Sequence, residues 1–413
     1  MSDQTAGRPL AKTHPLQLTR WQERGVLLVL SAVQFSHIVD FMLIMPLGPQ
    51  LMRLFGISPG EFGVLVSAYS FTAAIFGFVN ALYVDRMNRK TVLLAFFALF
   101  ALATLACGLA PTFATLLLAR AAAGAFGGSL NAIVQSIIGD LFPPDRRGAA
   151  TGAVASAFSL ASIAGVPIGI VVAASGHWQY PFLLLAVLCI PVWLYARRVV
   201  PDVTAHVSAE RSHPLRNLHE TLSVRSHQIS FVFGIVLVLA GFTVIPYISP
   251  YQVANVGISD SDLAWIYLVG GGATFFTQRM IGRWADTHGK QRVFTIMALA
   301  SLAPILITTH FPRVGSVLWL IPFSTLFFVF VSGRFVPAMA MINGSSTPRL
   351  RGSFMSVSSS LQSLGMGIAT IIGSAFLSKL PNGEIAGYGS VGWFACALTL
   401  VAIFISRRMK AVS

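Results

Sequence analysis

The chain has 413 residues, of which 55% are hydrophobic and 10% charged, with a mean hydropathy of +0.74. A soluble domain carries about 25% charged residues, so water is not the only solvent this chain is built for. The excess of 28 Lys and Arg over 14 Asp and Glu, +14 in all, is scattered between apolar runs and not gathered on one polar face; it argues against a nucleic-acid partner.

Residues 1–24 are polar with scattered basic residues, and the apolar run after them has no small-residue cleavage site, so they read as a tail and not a signal peptide. Twelve apolar segments follow, at 25–51, 61–84, 91–109, 113–139, 148–175, 178–198, 228–251, 261–284, 291–309, 315–342, 352–378 and 386–406. Each is near the length a helix needs to cross a bilayer, where backbone groups find no partner outside the helix. The expected fold is therefore an all-α membrane protein with twelve transmembrane helices. It divides into a tail (1–24), a six-helix bundle (25–198), a linker (199–227), a second six-helix bundle (228–406) and a short tail (407–413). The linker is the longest polar stretch and holds His206, His213, His219 and His227, but no pair of them has metal-ligand spacing on a helix. Cys107, Cys189 and Cys396 fall inside apolar runs and read as small buried hydrophobes; no metal site is expected.

Charge orients the chain. With the tails and even-numbered loops on one side, only Arg53, Arg313 and Lys379 fall in the opposite loops, and Arg120, Arg279 and Arg334 within spans. All other Lys and Arg share the side of the tails, which places both termini of a multi-pass protein in the cytoplasm.

The two halves repeat. The turn Asp85-Arg86-Met87-Asn88-Arg89-Lys90 has an echo 201 residues on at Asp286-Thr287-His288-Gly289-Lys290, with Asn88 and Gly289 where a positive φ is expected. At the same offset Pro49 matches Pro250, and Gly56-Ile57-Ser58 matches Gly257-Ile258-Ser259; further on, Ser156, Ser159, Leu160 and Gly169 match Ser360, Ser363, Leu364 and Gly373. A parallel repeat of six helices is the plan of transporters that rock two halves about a midplane site. Gly124 with Gly128, and Gly165 with Gly169, have the small-xxx-small spacing of close helix contacts, and Pro167, Pro246 and Pro250 bend their helices.

One acid lies deep in a span, Asp40, in the middle of the first helix. A charge there is costly, so an ionisable group inside a span is a functional candidate by default. Low dielectric favours the neutral carboxyl and a nearby cation favours the carboxylate, and a group balanced between the two takes up and releases protons. Gln34 and His37 share the helix face of Asp40, and Phe41, Arg334 and the aromatics Phe35, Tyr69, Phe71, Trp265 and Tyr267 are candidate cavity residues. The repeat pairs Asp40 with Gly241 and gives Arg120 no basic counterpart, so neither belongs to the repeated scaffold. Alternative readings stand side by side: Asp40 as a proton carrier, Asp40 and Arg120 as an ion pair that fixes helix contacts, or Asp40 as a substrate-binding residue. For His37 a helix-contact role, and for Arg334 local pairing or snorkelling, stand beside a place in the site.

These residues resemble the major facilitator superfamily over essentially the whole chain. The Asp85–Lys90 turn resembles its signature loop, departing from it at Ala81 and Asn88; the second copy keeps Gly282 and Gly289. Arg120 with Gly124 and Gly128 resembles a second family motif, and Gly165-Val166-Pro167-Ile168-Gly169 the glycine-proline motif of the proton-coupled exporter branch. Around Gly333–Pro337 and Arg351–Ser356 the chain is similar to bacterial sugar and drug efflux permeases. The resemblance implies a monomeric secondary transporter of a bacterial-type inner membrane, not an enzyme, that exports a small organic molecule, drug-like or a sugar, in exchange for protons. It needs no cofactor beyond the proton as coupling ion, and its partners are substrate, proton and lipid bilayer. A proton-driven importer or an uncoupled facilitator is the alternative. It further implies that Arg120 couples protonation to conformation. Asp85, with Arg86 and Arg89, and Asp286 would close the cytoplasmic side by reaching the starts of helices eleven and five, near Gly352 and Gly148.

Overall fold

A computed structural model describes residues 19–83, 87–202, 214–347 and 350–409. The long helices are α1 (Arg20–Leu43), α2 (Pro59–Tyr83), α3 (Arg89–Gly108), α4 (Phe113–Leu141), α5 (Arg146–Ala174), α6 (Tyr180–Val199), α7 (Arg225–Val256), α8 (Leu263–His288), α9 (Lys290–Thr309), α10 (Val317–Gly344), α11 (Arg351–Ala375) and α12 (Tyr388–Ser406). Among the described residues, 11 helices are long and apolar enough to cross a membrane. The remaining long helix, α8, spans 26 residues but carries Gln278, Arg279, Arg283 and Asp286 in its second half. Twelve spans place the start of α1 and the end of α12 on one side, here the termini side, opposite the far side.

Several boundaries differ from the sequence reading. The helix expected over 25–51 breaks at Ile44–Leu47, because Pro46 has no N–H for the carbonyl of Met42; a separate short helix, Gly48–Leu54, follows. Helix α7 departs from α geometry twice near its prolines, with a 3₁₀ turn at Ile245–Tyr247 and a π turn at Gln252–Val256. Helix α5 widens into a π turn over Ala161–Gly165, just before Pro167. Part of the expected linker is helical, Pro214–Ser223, and a two-residue hairpin, β1 (Ser378–Lys379) with β2 (Ile385–Ala386), precedes α12.

The internal repeat has a structural cause on the far side. Gly56 and Gly257 have φ of 64° and 86°, the left-handed region that glycine enters at little cost. Each is followed by the same reciprocal cap: the Ser58 N–H donates to Glu61 Oε2 at 2.8 Å and the Glu61 N–H to Ser58 Oγ at 3.2 Å. In the second half the Ser259 N–H donates to Asp262 Oδ2 at 3.1 Å and the Asp262 N–H to Ser259 Oγ at 3.3 Å. Both caps satisfy N–H groups that a helix start leaves without partners.

The halves share one hydrophobic core on the far side, where Leu51, Phe62 and Leu65 of the first half join Tyr247, Ile248 and Tyr251 of the second. Arg53 and Asp260 form an ion pair across the same seam, and the Tyr247 hydroxyl donates to the Thr370 carbonyl at 2.7 Å. Toward the termini side the cores separate: one gathers Val26–Val33, Ile133–Leu141 and Ala196 of the first half, the other Phe233, Phe294, Phe354 and Ile403 of the second. The two seams between halves are unequal. Helices α2 and α11 pack along most of their length, with Ser374, Phe71 and Ser360 against Gly63, Gly367 and Gly77. Helix α8 meets α5 mainly over Ala161–Ala174 and hardly over Pro144–Leu160.

Candidate functional site

Between the halves lies a cavity of 430 Å³. Its wall is mostly aromatic and thioether: Phe41, Met42 and Met45 from the α1 end, Phe158 from α5, Phe242 from α7, Phe327, Phe328 and Phe335 from α10, Met366 from α11. Polar contacts are few and neutral, namely Ser162, Tyr267, Thr274, Gln278, Ser332 and Gln362. A concave apolar pocket with a few placed polar groups is the usual form of a small-molecule site. None of the residues that line it is an acid or a base.

The acid stands one layer back. Asp40 is fully buried, with Oδ2 accepting from Arg120 Nη1 at 2.7 Å and Oδ1 from the Thr104 hydroxyl at 3.2 Å. Helix α1 ends at Leu43, so the Asp40 carbonyl is among the last four without a helical partner; Arg120 Nη1 takes it too, at 3.2 Å. Arg120, also fully buried, lies 4.7 Å from the centre of the Tyr69 ring. Tyr69 packs at 5.2 Å on Phe41, which reaches the cavity wall. The order from the cavity inward is thus Phe41, Tyr69, Arg120, Asp40. The glycines make this packing possible: Gly124 and Gly128 of α4 sit against Tyr69 and Ala73 of α2, and Gly165 and Gly169 of α5 against Val39 and Leu43 of α1.

The other expected site residues are dispersed. Phe41 and Tyr267 line the cavity. Gln34 Nε2 donates to Asn131 Oδ1 at 3.3 Å between α1 and α4. His37 is half-buried, and its Nε2 has no hydrogen-bond partner among the described residues. Trp265 is exposed, Phe71 packs on Gly367, and Phe35 on Gly165. Arg334 is fully buried behind the wall, with Nη1 donating to Thr399 Oγ1 at 2.8 Å and Ser301 Oγ at 3.2 Å, while Nε and Nη2 have no partner among the described residues.

Of the expected gate, Asp85 and Arg86 lie outside the described residues. Arg89 is buried and binds Asp140 Oδ2 at 3.0 Å, joining α3 to the end of α4. Gly282 faces Val336 of α10. Asp286 is exposed and makes no hydrogen bond or ion pair with a described residue. Gly289 has the expected positive φ, 91°. Asn88 does not: its φ is −59°, because it serves as the N-cap of α3, its side chain accepting from the Lys90 N–H at 3.0 Å.

Residues missed in the sequence are the neutral ones: Thr104 beside the buried pair, and Gln278 and Gln362 on the wall; Tyr69, expected among the cavity aromatics, packs instead between Arg120 and Phe41. Hydroxyls, amides and rings recur throughout the spans, so nothing marks these few in one sequence.

The family model of the Major Facilitator Superfamily matches twice, over residues 30–250 and 231–411. The chain is similar to two uncharacterized MFS-type transporters of Bacillus subtilis. YceJ is 25% identical over 370 residues, covering 89% of this chain and 93% of YceJ. YwfA is 24% identical over 382 residues, covering 92% and 90%. Among solved structures, a bacterial homolog of the human lysosomal transporter Spinster superposes with a TM-score of 0.69 at 17% identity, covering 95% of each chain. The nucleoside transporter NupG does so with a TM-score of 0.71 at 14% identity, covering 94% of this chain and 99% of its own. Proteins of this kind are transporters, not enzymes, and need no cofactor. The chain belongs to the major facilitator superfamily and is a multi-pass membrane transporter.

Proposed function

We propose that the protein exports a lipophilic small molecule from the cytoplasm in exchange for protons. The observation that carries the reading is the cavity between the halves, walled by aromatic and Met side chains, with a buried acid one layer behind it. A sugar needs many hydrogen-bonding partners in its site, and this wall offers few; a drug-like apolar body fits it better. The termini side is assigned to the cytoplasm by its positive charge. The shared core on the far side and the separate cores on the termini side support an inward-facing state, with Asp286 released from its latch.

In this cycle Asp40 carries the proton. Deprotonated, it is held by Arg120 and Thr104; protonated, it gives up the ion pair and frees Arg120 to shift against Tyr69. The motion reaches the cavity through Phe41, so occupancy of the wall and protonation of Asp40 act on one chain of contacts. The test uses purified protein in liposomes under an imposed pH gradient, with a fluorescent pH probe and a panel of lipophilic compounds and sugars. Solute-dependent proton movement that is lost in Asp40→Asn, with solute binding kept, is expected. Solute counterflow with no proton movement in the wild type would instead establish a facilitator.

A further inference from the structure

Arg334 presents a problem that the rest of the fold does not solve. Its side chain is fully buried, and of its guanidinium only Nη1 is used, on two neutral hydroxyls. Among the described residues Nε and Nη2 find no partner, and no carboxylate pairs with it. In the second half the acids are Asp260, Asp262, Asp286 and Glu384, and none lies in the middle of a span. A buried ion without a counter-charge is among the most costly features a fold can carry, because desolvation is not offset by any attraction. In the first half Arg120 also leaves Nε and Nη2 without a described partner, but its charge is met by Asp40.

The position repeat-related to Asp40 is Gly241, and it lies beside this guanidinium: a Cβ built there would stand 3.7 Å from Arg334 Nη2. The same Cβ would stand 3.6 Å from Ile245 and 3.9 Å from the Phe335 ring, both of which line the cavity. The unpaired face of Arg334 is therefore one side chain away from the cavity, at the place where a carboxylate would sit if the second half copied the first. With Asp40 neutralised by Arg120 and a wall that has no charge, the charge behind Phe335 and Ile245 is positive.

We infer that Arg334 is the anchor for an anionic group, so that the transported solute is an apolar organic anion, a carboxylate or sulfonate whose head reaches past Phe335 to Nε and Nη2. The inference rests on the reading of the cavity as the substrate site, but not on proton coupling or direction. A carboxylate there makes charge-assisted hydrogen bonds with the guanidinium fork, while an ammonium of the same size meets an unopposed cation.

The experiment measures equilibrium binding to the purified full-length protein by scintillation proximity, with tritiated 4-phenylbutyrate as probe and 4-phenylbutanamide and 4-phenylbutylamine as competitors. The carboxylate is expected to bind about tenfold or more tighter than the amide, and the amine not to compete. Arg334→Gln is expected to erase the preference for carboxylate over amide. Gly241→Asp places an internal carboxylate beside Nη2, and is expected to raise the melting temperature while abolishing carboxylate binding. This second variant keeps the idea testable should Arg334→Gln fail to fold. Equal binding of carboxylate and amide to the wild type, or a preference that survives Gly241→Asp, would overturn the assignment. So would stabilisation by chloride alone, lost in Arg334→Gln, since the site would then hold an inorganic counter-ion and not the solute. Binding needs no gradient, so the assignment and the proton-coupling cycle can fail separately.

Discussion

Asp40 and Arg120 were conspicuous in the sequence because a charge inside an apolar run has no routine explanation. Their mutual contact at 2.7 Å, sealed from solvent, makes them interdependent. Removing one partner of a buried pair strands the other, at a cost of about 3–5 kcal/mol, whereas replacing both by neutral groups of similar size costs far less. Arg120→Leu is therefore expected to lower the melting temperature more than the double variant Asp40→Asn/Arg120→Leu, as read by thermal unfolding in detergent. Additive losses in the two single variants would show that the pair is not coupled. Of the groups around the pair, Tyr69 was legible only as a candidate cavity aromatic, and Thr104 left no mark in the sequence, since a Thr in a span usually bonds locally. Arg334 was visible as a charge in a span, but its lack of a partner is a property of the folded surroundings and cannot be read from one chain.

At the scale of the elements, the sequence pattern was most informative where backbone geometry demands a particular residue. The matching Gly56-Ile57-Ser58 and Gly257-Ile258-Ser259 stand for a left-handed turn followed by a reciprocal helix cap, made twice. A Cβ at Gly257 meets no atom closer than 3.6 Å, so Gly257→Ala has room and its cost is conformational. It is expected to destabilise the protein by about 1 kcal/mol, measurable as a lower melting temperature with no change in solute affinity. The misread boundaries have the same origin. Pro46 ends α1 early because it lacks a donor, and Asn88 keeps a negative φ because its amide caps α3, two local effects that hydropathy does not register. In helix α8 polar residues dilute the signal: those that lower its hydropathy include Gln278 on the cavity wall.

For the molecule as a whole, twelve spans and their duplication were legible because a bilayer allows few alternatives to long apolar helices. The present conformation was not, since a sequence encodes both halves of a cycle and a structure shows one. The far side is held by Arg53 with Asp260, by Phe62 packing 6.3 Å from Tyr247, and by Pro250 close against Gly48. A bismaleimide joining Arg53→Cys to Asp260→Cys is expected to stop transport in liposomes while leaving equilibrium binding intact, and a reducible crosslinker to restore turnover on cleavage. Continued transport by the crosslinked protein would mean that the far side need not part.

The inequality of the two seams sets how such a machine must move. Helices α2 and α11 stay in contact almost from one side to the other, whereas α5 and α8 diverge beyond the crossing of Ser162 with Gly271. An axle placed at the α2–α11 edge gives the opposite edge the longer lever arm. If the halves turn about that edge, the aperture is a wedge, not a shaft, opening along the wall of α5 and α8 that carries Ser162, Thr274 and Gln278.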